Sequence, residues 1–548
     1  MASLFIGGCS AASAPDAREG ENAATLTSAV DGADATGTVV QLDSGPILGV
    51  VKDGYRTFLG VPYAAPPVGA LRWRSPQAVT PWSEVRDATK FGNSCAQDGS
   101  LTHTPPSGSE DCLYLNVTTP WQAASAASAF APPKPVLVFL HGGAFLRGSG
   151  SIYDTSPLAI RGDAVVITLN FRLGVFGHLA HPNLSEGGNF GIEDQLAALK
   201  WVRRNARAFG GDPNNVTLIG QSSGAHAAAA LLTAPSAGGL FHRAILESGT
   251  GTWDWPDAGL FPDRTAGSIF VDKAEAERLG TSLATQRGCT NPTNPASAID
   301  CLRAIGANDL MTPAPGWRYA QPVHGTRFLP LHPGDAMKKG LVHRIPVLSG
   351  TNLDEGRGFS AFFFEGVPMS AERYHERVTL SYGEAAAAVE AKYPASAYPT
   401  PAMAWSQIMT DRIIVCPSVR AHRWLGAATR AYAYEFSDRN APLVLPLPPD
   451  VQRGALHSSE VPYLMNLLGF NPNFTADQKA LSDQMIGYWT RFAKTGNPNG
   501  GGSPAWAPVC GSDTTPNTQG LDTGAGGIHP VDISAEHQCE FWEGLTGE

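Results

Sequence analysis

Five residues could do covalent chemistry together: Gly220-Gln221-Ser222-Ser223-Gly224. A serine hydroxyl at its free pKa is a poor nucleophile and needs a base in hydrogen-bond reach, which in turn needs an orienting acid. The apolar run 216–219 before it reads as a buried strand and the Ala-rich run 227–232 after it reads as a helix. Glycines two positions either side of the serine let neighbouring backbone pass where a Cβ would obstruct. A strand that turns sharply into a helix lifts the hydroxyl to a helix N-terminus, where developing negative charge is favoured. Gly-x-Ser-x-Gly also arises by chance in a chain with 60 glycines; the flanking strand and helix separate a nucleophile elbow from that coincidence. In sheets of this kind the order is serine, then acid, then histidine. Downstream, the run Val347-Leu348-Ser349-Gly350 leads to Asp354 and Glu355, and both carboxylates qualify by position. His457 stands in the turn-like stretch Gly454-Ala455-Leu456-His457-Ser458-Ser459-Glu460. Fourteen histidines compete for the role of base, and spacing does not select among them. The small-residue run Gly142-Gly143-Ala144 follows the apolar stretch 136–140. With the N–H of Ser223 it could donate to an oxyanion; a plain glycine turn is the alternative.

These groups need a scaffold that brings them to one place. Continuous apolar runs at 136–140 and 164–169 have the look of strands covered on both faces. Stretch 192–208 carries apolar residues at helical spacing, and 243–246, 345–349 and 431–436 read as further strands. A hairpin over 39–42 and 47–51, turning at Asp43-Ser44-Gly45-Pro46, and a strand over 55–63 precede them. Strands alternating with helices predict an α/β fold, a mostly parallel sheet flanked by helices, with its crevice at the carboxyl ends of the strands. Stretches 250–322 and 359–427 break the alternation and read as helical insertions forming a lid and side walls. No internal repeat is present.

The 548 residues carry a net charge of −10 with no basic run, which excludes nucleic acid as an expected partner. No apolar segment approaches the roughly 18 residues of a membrane span. None of the eight cysteines forms a Cys-x-x-Cys motif, so no metal site is expected. Cys95 with Cys112, and Cys289 with Cys301, are locally spaced in loop-like sequence, as disulfides of an exported protein would be. The start, Leu4-Phe5-Ile6-Gly7-Gly8-Cys9-Ser10, is similar to the end of a bacterial lipoprotein signal. Residues 1–9 would then be a signal remnant with a lipid anchor at Cys9, unless the match is accidental, and 10–37 a disordered tether to a catalytic domain over 38–548.

Four longer motifs carry a family resemblance: Phe58-Leu59-Gly60-Val61-Pro62-Tyr63-Ala64-x-Pro66-Pro67-Val68-Gly69, Ser109-Glu110-Asp111-Cys112-Leu113-Tyr114-Leu115-Asn116, Phe209-Gly210-Gly211-Asp212-Pro213-Asn214-Asn215-Val216-Thr217, and Tyr488-Trp489-x-x-Phe492-Ala493-Lys494-Thr495-Gly496-Asn497-Pro498-Asn499. With the serine motif they resemble the type-B carboxylesterase and cholinesterase family of α/β-hydrolases. The resemblance implies Ser222 as nucleophile, Glu355 rather than Asp354 as acid, His457 as base, and Gly143, Ala144 and Ser223 as oxyanion donors. It implies disulfides Cys95–Cys112, Cys289–Cys301 and Cys416–Cys539, with Cys510 left as a free thiol or competing for Cys539. Ion pairs Arg72–Glu110 and Arg172–Asp194 are also expected from it.

Four residues depart from the family pattern: Gln221 for a usual Glu, Ala144 for a frequent Gly, Ser458 for Gly, and Glu247 for a common Gln. The loop between Cys95 and Cys112 lacks the tryptophan used against choline by cation–π attraction. The implied activity is that of an exported bacterial serine carboxylesterase without metal or organic cofactor, acting on small-molecule esters, periplasmic, outer-membrane-anchored or secreted. Bulky or polycarboxylate esters, such as the tricarballylate esters of fumonisin, are compatible with Gln221, and Arg147 is the nearest cation in sequence. The competing readings are a non-catalytic binding protein of cholinesterase type and a hydrolase of amides, lactones or thioesters. Oligomeric state is not legible.

Overall fold

The computed structural model describes residues 38–99, 104–121, 132–185, 187–262, 264–290, 297–360, 366–444, 446–512 and 515–547. The expected signal remnant and tether, Cys9 included, lie outside the described residues. An eleven-stranded sheet organises the chain. Its strands are β1 (Val50–Lys52), β2 (Tyr55–Pro62), β3 (Tyr114–Pro120), β4 (Lys134–Leu140), β5 (Val165–Leu169), β6 (Gly211–Gln221), β7 (Arg243–Glu247), β8 (Val347–Asn352), β9 (Ala431–Phe436), β10 (Thr518–Leu521) and β11 (Ile528–Val531). They lie in the order β11-β10-β9-β8-β7-β6-β4-β5-β3-β2-β1. Strands β4 to β10 run parallel to their neighbours in that block, and the pairings beyond it are antiparallel.

The continuous apolar runs are explained by burial on both faces. Val136, Val138 and Leu140 of β4 enter one core cluster, while Leu137 and Phe139 enter another across the sheet. Side chains of a strand alternate between faces, so only an unbroken apolar run fills both. The principal helices are α1 (Phe190–Asn205), α2 (Ser223–Thr233), α3 (Lys273–Gln286), α4 (Glu355–Phe359), α5 (Ala371–Tyr382), α6 (Pro401–Ile408), α7 (Cys416–Ala428), α8 (Ala476–Thr495) and α9 (Cys539–Thr546). Ala-rich α2 lies in the first core with Trp201 and Val202 of α1; α8 supplies Met485, Trp489 and Phe492 to the second.

The described residues of 359–427 are largely helical, with a π-helical stretch Met409–Val415 joining α6 to α7. Stretch 250–322 is helical in part, at Lys273–Gln286, Ser297–Ala304 and Ala307–Leu310. Beside α3 it contributes short ladders, Asp254–Trp255 with Gly267–Ser268, and Val271–Asp272 with Val323–His324. Two-residue ladders leave no periodicity to read. Strands β10 and β11 were not foreseen either.

Disulfides join Cys95 to Cys112, Cys289 to Cys301, and Cys416 to Cys539. The expectation of a free thiol at Cys510 is corrected: no described cysteine is free, and Cys539 is already bonded to Cys416. Two ion pairs brace loops, one between two loops and one from a loop to α1. Arg72 meets Glu110 at 2.6 Å, and Arg172 meets Asp194 at 2.7 Å with side chains 3% and 0% exposed. Asp194 also accepts from the Arg172 backbone N–H at 3.0 Å and from Nε at 2.8 Å. Removing one member of such a pair strands the other charge without water. Asp194→Ala should lower unfolding free energy by about 3–5 kcal/mol in urea titration; a loss under about 1 kcal/mol would show that Arg172 finds another partner.

Candidate active site

Ser222 is the single residue between β6 and α2, with φ +56° and ψ −123°. That conformation is costly for a residue with a Cβ and persists only where its surroundings impose it. Here they do. A Cβ on Gly220 would stand 2.2 Å from the carbonyl oxygen of Gly224, and one on Gly224 would stand 2.1 Å from that of Leu140. Both glycines are therefore required by backbone contact. The Ser222 N–H donates to Glu247 O of β7 at 2.8 Å, fixing the turn to the neighbouring strand.

Glu355 opens α4, just past the end of β8, and is fully buried. Its Oε1 accepts from the backbone N–H of Asn352 at 2.9 Å. Its Oε2 lies 2.6 Å from His457 Nδ1, and His457 Nε2 lies 2.8 Å from Ser222 Oγ. The carboxylate can only accept, so Nδ1 carries the proton and Nε2 presents its lone pair to the serine hydroxyl. Burial depresses the His457 pKa, but the charge and hydrogen bond of Glu355 outweigh it, Glu460 adds to them, and the net shift is upward.

Asp354, which position alone did not separate from Glu355, has other partners. It pairs with Arg357 at 2.6 Å and Arg439 at 3.0 Å, and accepts from the N–H of Ala455 at 3.0 Å. The adjacent carboxylates thus divide the work, one facing the imidazole and the other holding the loop that carries it. Asn352 contributes a second restraint, its amide Nδ2 donating to Leu456 O at 2.6 Å.

The glycine turn after β4 lies against the serine. A Cβ on Gly142 would stand 3.1 Å from Ser222 Cβ. Gly143, Ala144 and Phe145 have φ of +116°, +58° and +56°. Gly143 O accepts from the N–H groups of both Leu146 and Arg147 at 3.0 Å, which closes the turn. Among the described residues, the N–H groups of Gly143 and Ala144 have no acceptor in the chain. The N–H of Ser223, in the first turn of α2, has no intrahelical acceptor. Together they are three unpaired N–H donors beside Ser222, able to receive an oxyanion.

Two aromatic rings pack against the base of this cluster. Ring centroids of Phe359 and Trp253 stand 4.8 and 5.8 Å from that of His457, and His226 packs edge-on to Trp253 at 4.6 Å. Neither aromatic wall residue nor Asn352 was singled out from sequence, because nothing local marks them. Arg147, at the end of the glycine turn, lines a cleft of about 500 Å³ with Ser94, Ser107, Ser109 and Ser151.

The family model described as the carboxylesterase family matches residues 36–542. The chain is similar to the para-nitrobenzyl esterase of Bacillus subtilis, 35% identical over 85% of this chain and 91% of that protein. It is also similar to the fumonisin B1 esterase of Sphingopyxis macrogoltabida, 34% identical over 84% of this chain and 83% of that protein. Among solved structures a PNB esterase superposes with a TM-score of 0.72 at 31% identity, covering 92% of this chain and 99% of its own.

One departure from the family pattern has a local cost. Ser458, directly after His457, has φ +74°. The left-handed region costs a residue with a Cβ about 1–2 kcal/mol, while glycine loses more chain entropy on folding. Ser458→Gly should therefore raise stability by about 0.5–1 kcal/mol, read as a higher urea midpoint; an unchanged or lower midpoint would show that the serine side chain offsets the strain.

Proposed function

The chain belongs to the carboxylesterase family, has the α/β-hydrolase fold and is a carboxylic ester hydrolase, and on that premise we propose that it works through an acyl-enzyme on Ser222. The hydrogen-bonded series Ser222–His457–Glu355 carries this reading. Ser222 Oγ attacks the ester carbonyl carbon as His457 Nε2 takes the hydroxyl proton. The N–H groups of Gly143, Ala144 and Ser223 receive the oxyanion, each such donor contributing on the order of 3 kcal/mol in comparable sites. Glu355 stabilises the imidazolium and holds its tautomer. The intermediate collapses, His457 returns the proton to the departing alcohol oxygen, and an acyl-serine remains. Water then attacks the acyl carbon while His457 takes its proton. Collapse of the second intermediate releases the acid and restores the serine hydroxyl.

Bulky or polycarboxylate esters are the substrate class we favour within this chemistry. The similarity to a fumonisin B1 esterase supports it. So does Gln221, which leaves no negative charge on the residue before the nucleophile. We read 38–548 as one catalytic unit, with 250–322 and 359–427 as its substrate-facing insertions. Export is the location we propose. Disulfides suit an oxidising compartment, and no helix among the described residues is long and apolar enough to cross a membrane.

Ser222→Ala should lower ester turnover by at least about a thousandfold, and a fluorophosphonate should label Ser222; near-normal turnover would remove the assignment and leave the non-catalytic reading. Across short and long p-nitrophenyl esters, a choline ester and a tricarballylate diester, the diester should have the highest kcat/KM. A lead for short neutral esters would mark a general carboxylesterase instead. His457 serves as base only when neutral, and its pKa is raised, so kcat/KM should fall with decreasing pH through a midpoint above the ordinary histidine value of about 6.5; a midpoint below about 5.5 would take His457 out of the role.

A further inference from the structure

Behind the three residues just described lie two buried carboxyls with no part in the ester chemistry, Glu460 and Glu247, both 0% exposed. Asn352, the last residue of β8 and equally buried, connects one of them to the site. Its backbone N–H holds Glu355 Oε1 at 2.9 Å. Its side-chain Nδ2 donates to two acceptors, Leu456 O and Glu460 Oε2. Leu456 immediately precedes His457, and Glu460 follows it by three residues. A single residue therefore grips the acid through its main chain and both flanks of the base through its amide. An amide N–H₂ has two protons to place, and both are used.

We propose that Asn352 and Glu460 are positioning residues for the hydrolysis assigned above, Asn352 setting the spacing of Glu355 and His457 and Glu460 orienting that amide while placing a second carboxyl behind the imidazole. The inference rests on the proposed function and extends it. Five titratable groups face Glu460: Glu355, His457, Glu247 of β7, Tyr153 and Tyr434 of β9. Burial and the charge of Glu355 push Glu460 up to about 7. Burial, then the charge of Glu460, push Glu247 well above the carboxyl range, so it keeps its proton while Glu460 ionises.

Glu247 is also the register partner of Gln221 on the adjoining parallel strand. The resemblance noted above has Glu at 221 and Gln at 247; here the two are exchanged across the ladder. The carboxyl has moved one strand away from the nucleophile, to a place where Trp489 Nε1 donates to its Oε1 at 2.7 Å. Its protonated form is equivalent in charge to the glutamine it replaces.

The test compares kcat, KM and the pH profile of kcat/KM for Asn352→Leu, Glu460→Gln and Glu247→Gln in the full-length protein, with sites counted by fluorophosphonate titration and folding followed by Tm. Glu460→Gln keeps an acceptor for Asn352 and loses the charge. Its plateau rate should stay within about threefold and its acid limb should move down by about 0.5 pH unit, because a negative charge that favoured the imidazolium is gone. Asn352→Leu should lower kcat per titrated site about 10- to 100-fold with KM within about twofold. Glu247→Gln should leave the profile unmoved. The proposal is overturned if Asn352→Leu and Glu460→Gln lower only Tm and keep wild-type kcat per site and acid limb. A shift in Glu247→Gln matching that of Glu460→Gln would overturn the placing of the charge. Should Asn352→Leu fail to fold, the direction of the Glu460→Gln limb decides alone. Absence of Ser222-dependent turnover in the wild type would instead be a failure of the proposed function.

Discussion

A carboxylate without water is the constraint from which the rest of this structure follows. Glu355 is fully buried, and a buried charge is expensive unless paired and hydrogen-bonded. Its two oxygens find one backbone N–H and one imidazole N–H, and both must be delivered to within tenths of an ångström. The end of β8 delivers the first. The loop after β9, pinned by Asp354 and Asn352, delivers the second. Only then is the far nitrogen of His457 left as a lone pair aimed at Ser222. The parallel block of the sheet makes this possible, because its strands end on one edge and the turns following β4, β6 and β8 reach a common crevice.

How much of this could be read beforehand depended on how far apart in the chain the cooperating groups stand. The elbow was legible because its parts are consecutive: strand, Gly220, Ser222, Gly224 and helix lie within one short stretch, and the glycines are demanded by local backbone contact. The glycine turn 142–144, proposed to receive the oxyanion, was legible for the same reason. Glu355 was not separable from Asp354 by pattern, since both follow one strand end and only the direction each faces distinguishes them. His457 was less legible still. It acts on a partner 102 positions away, and nothing in its own neighbourhood encodes that meeting; the family resemblance, not the residues, picked it from fourteen.

Elsewhere the signal was weak where the structure itself is local or marginal. Strand β10 reads Thr-Gln-Gly-Leu and owes its existence to β9 alongside rather than to its own composition. Stretch 250–322 adds to helices such as α3 a disulfide and ladders of two residues, and the ladders leave no period in a sequence. Yet this stretch supplies Trp253, one of the rings against the base. The residues against His457 thus include some of those least constrained by regular pattern, in keeping with the freedom of loops on a rigid scaffold to change what they bind.

The bond between Cys416 and Cys539 spans 123 positions, and His457 lies inside that span. A polypeptide cut once between these cysteines becomes two chains, but not two molecules. The fragment bearing Ser222 and Glu355 and the one bearing α9 stay covalently joined, with His457 on one or the other. In the exported protein proposed above, a severed surface loop would thus be a scar on the molecule and not its loss.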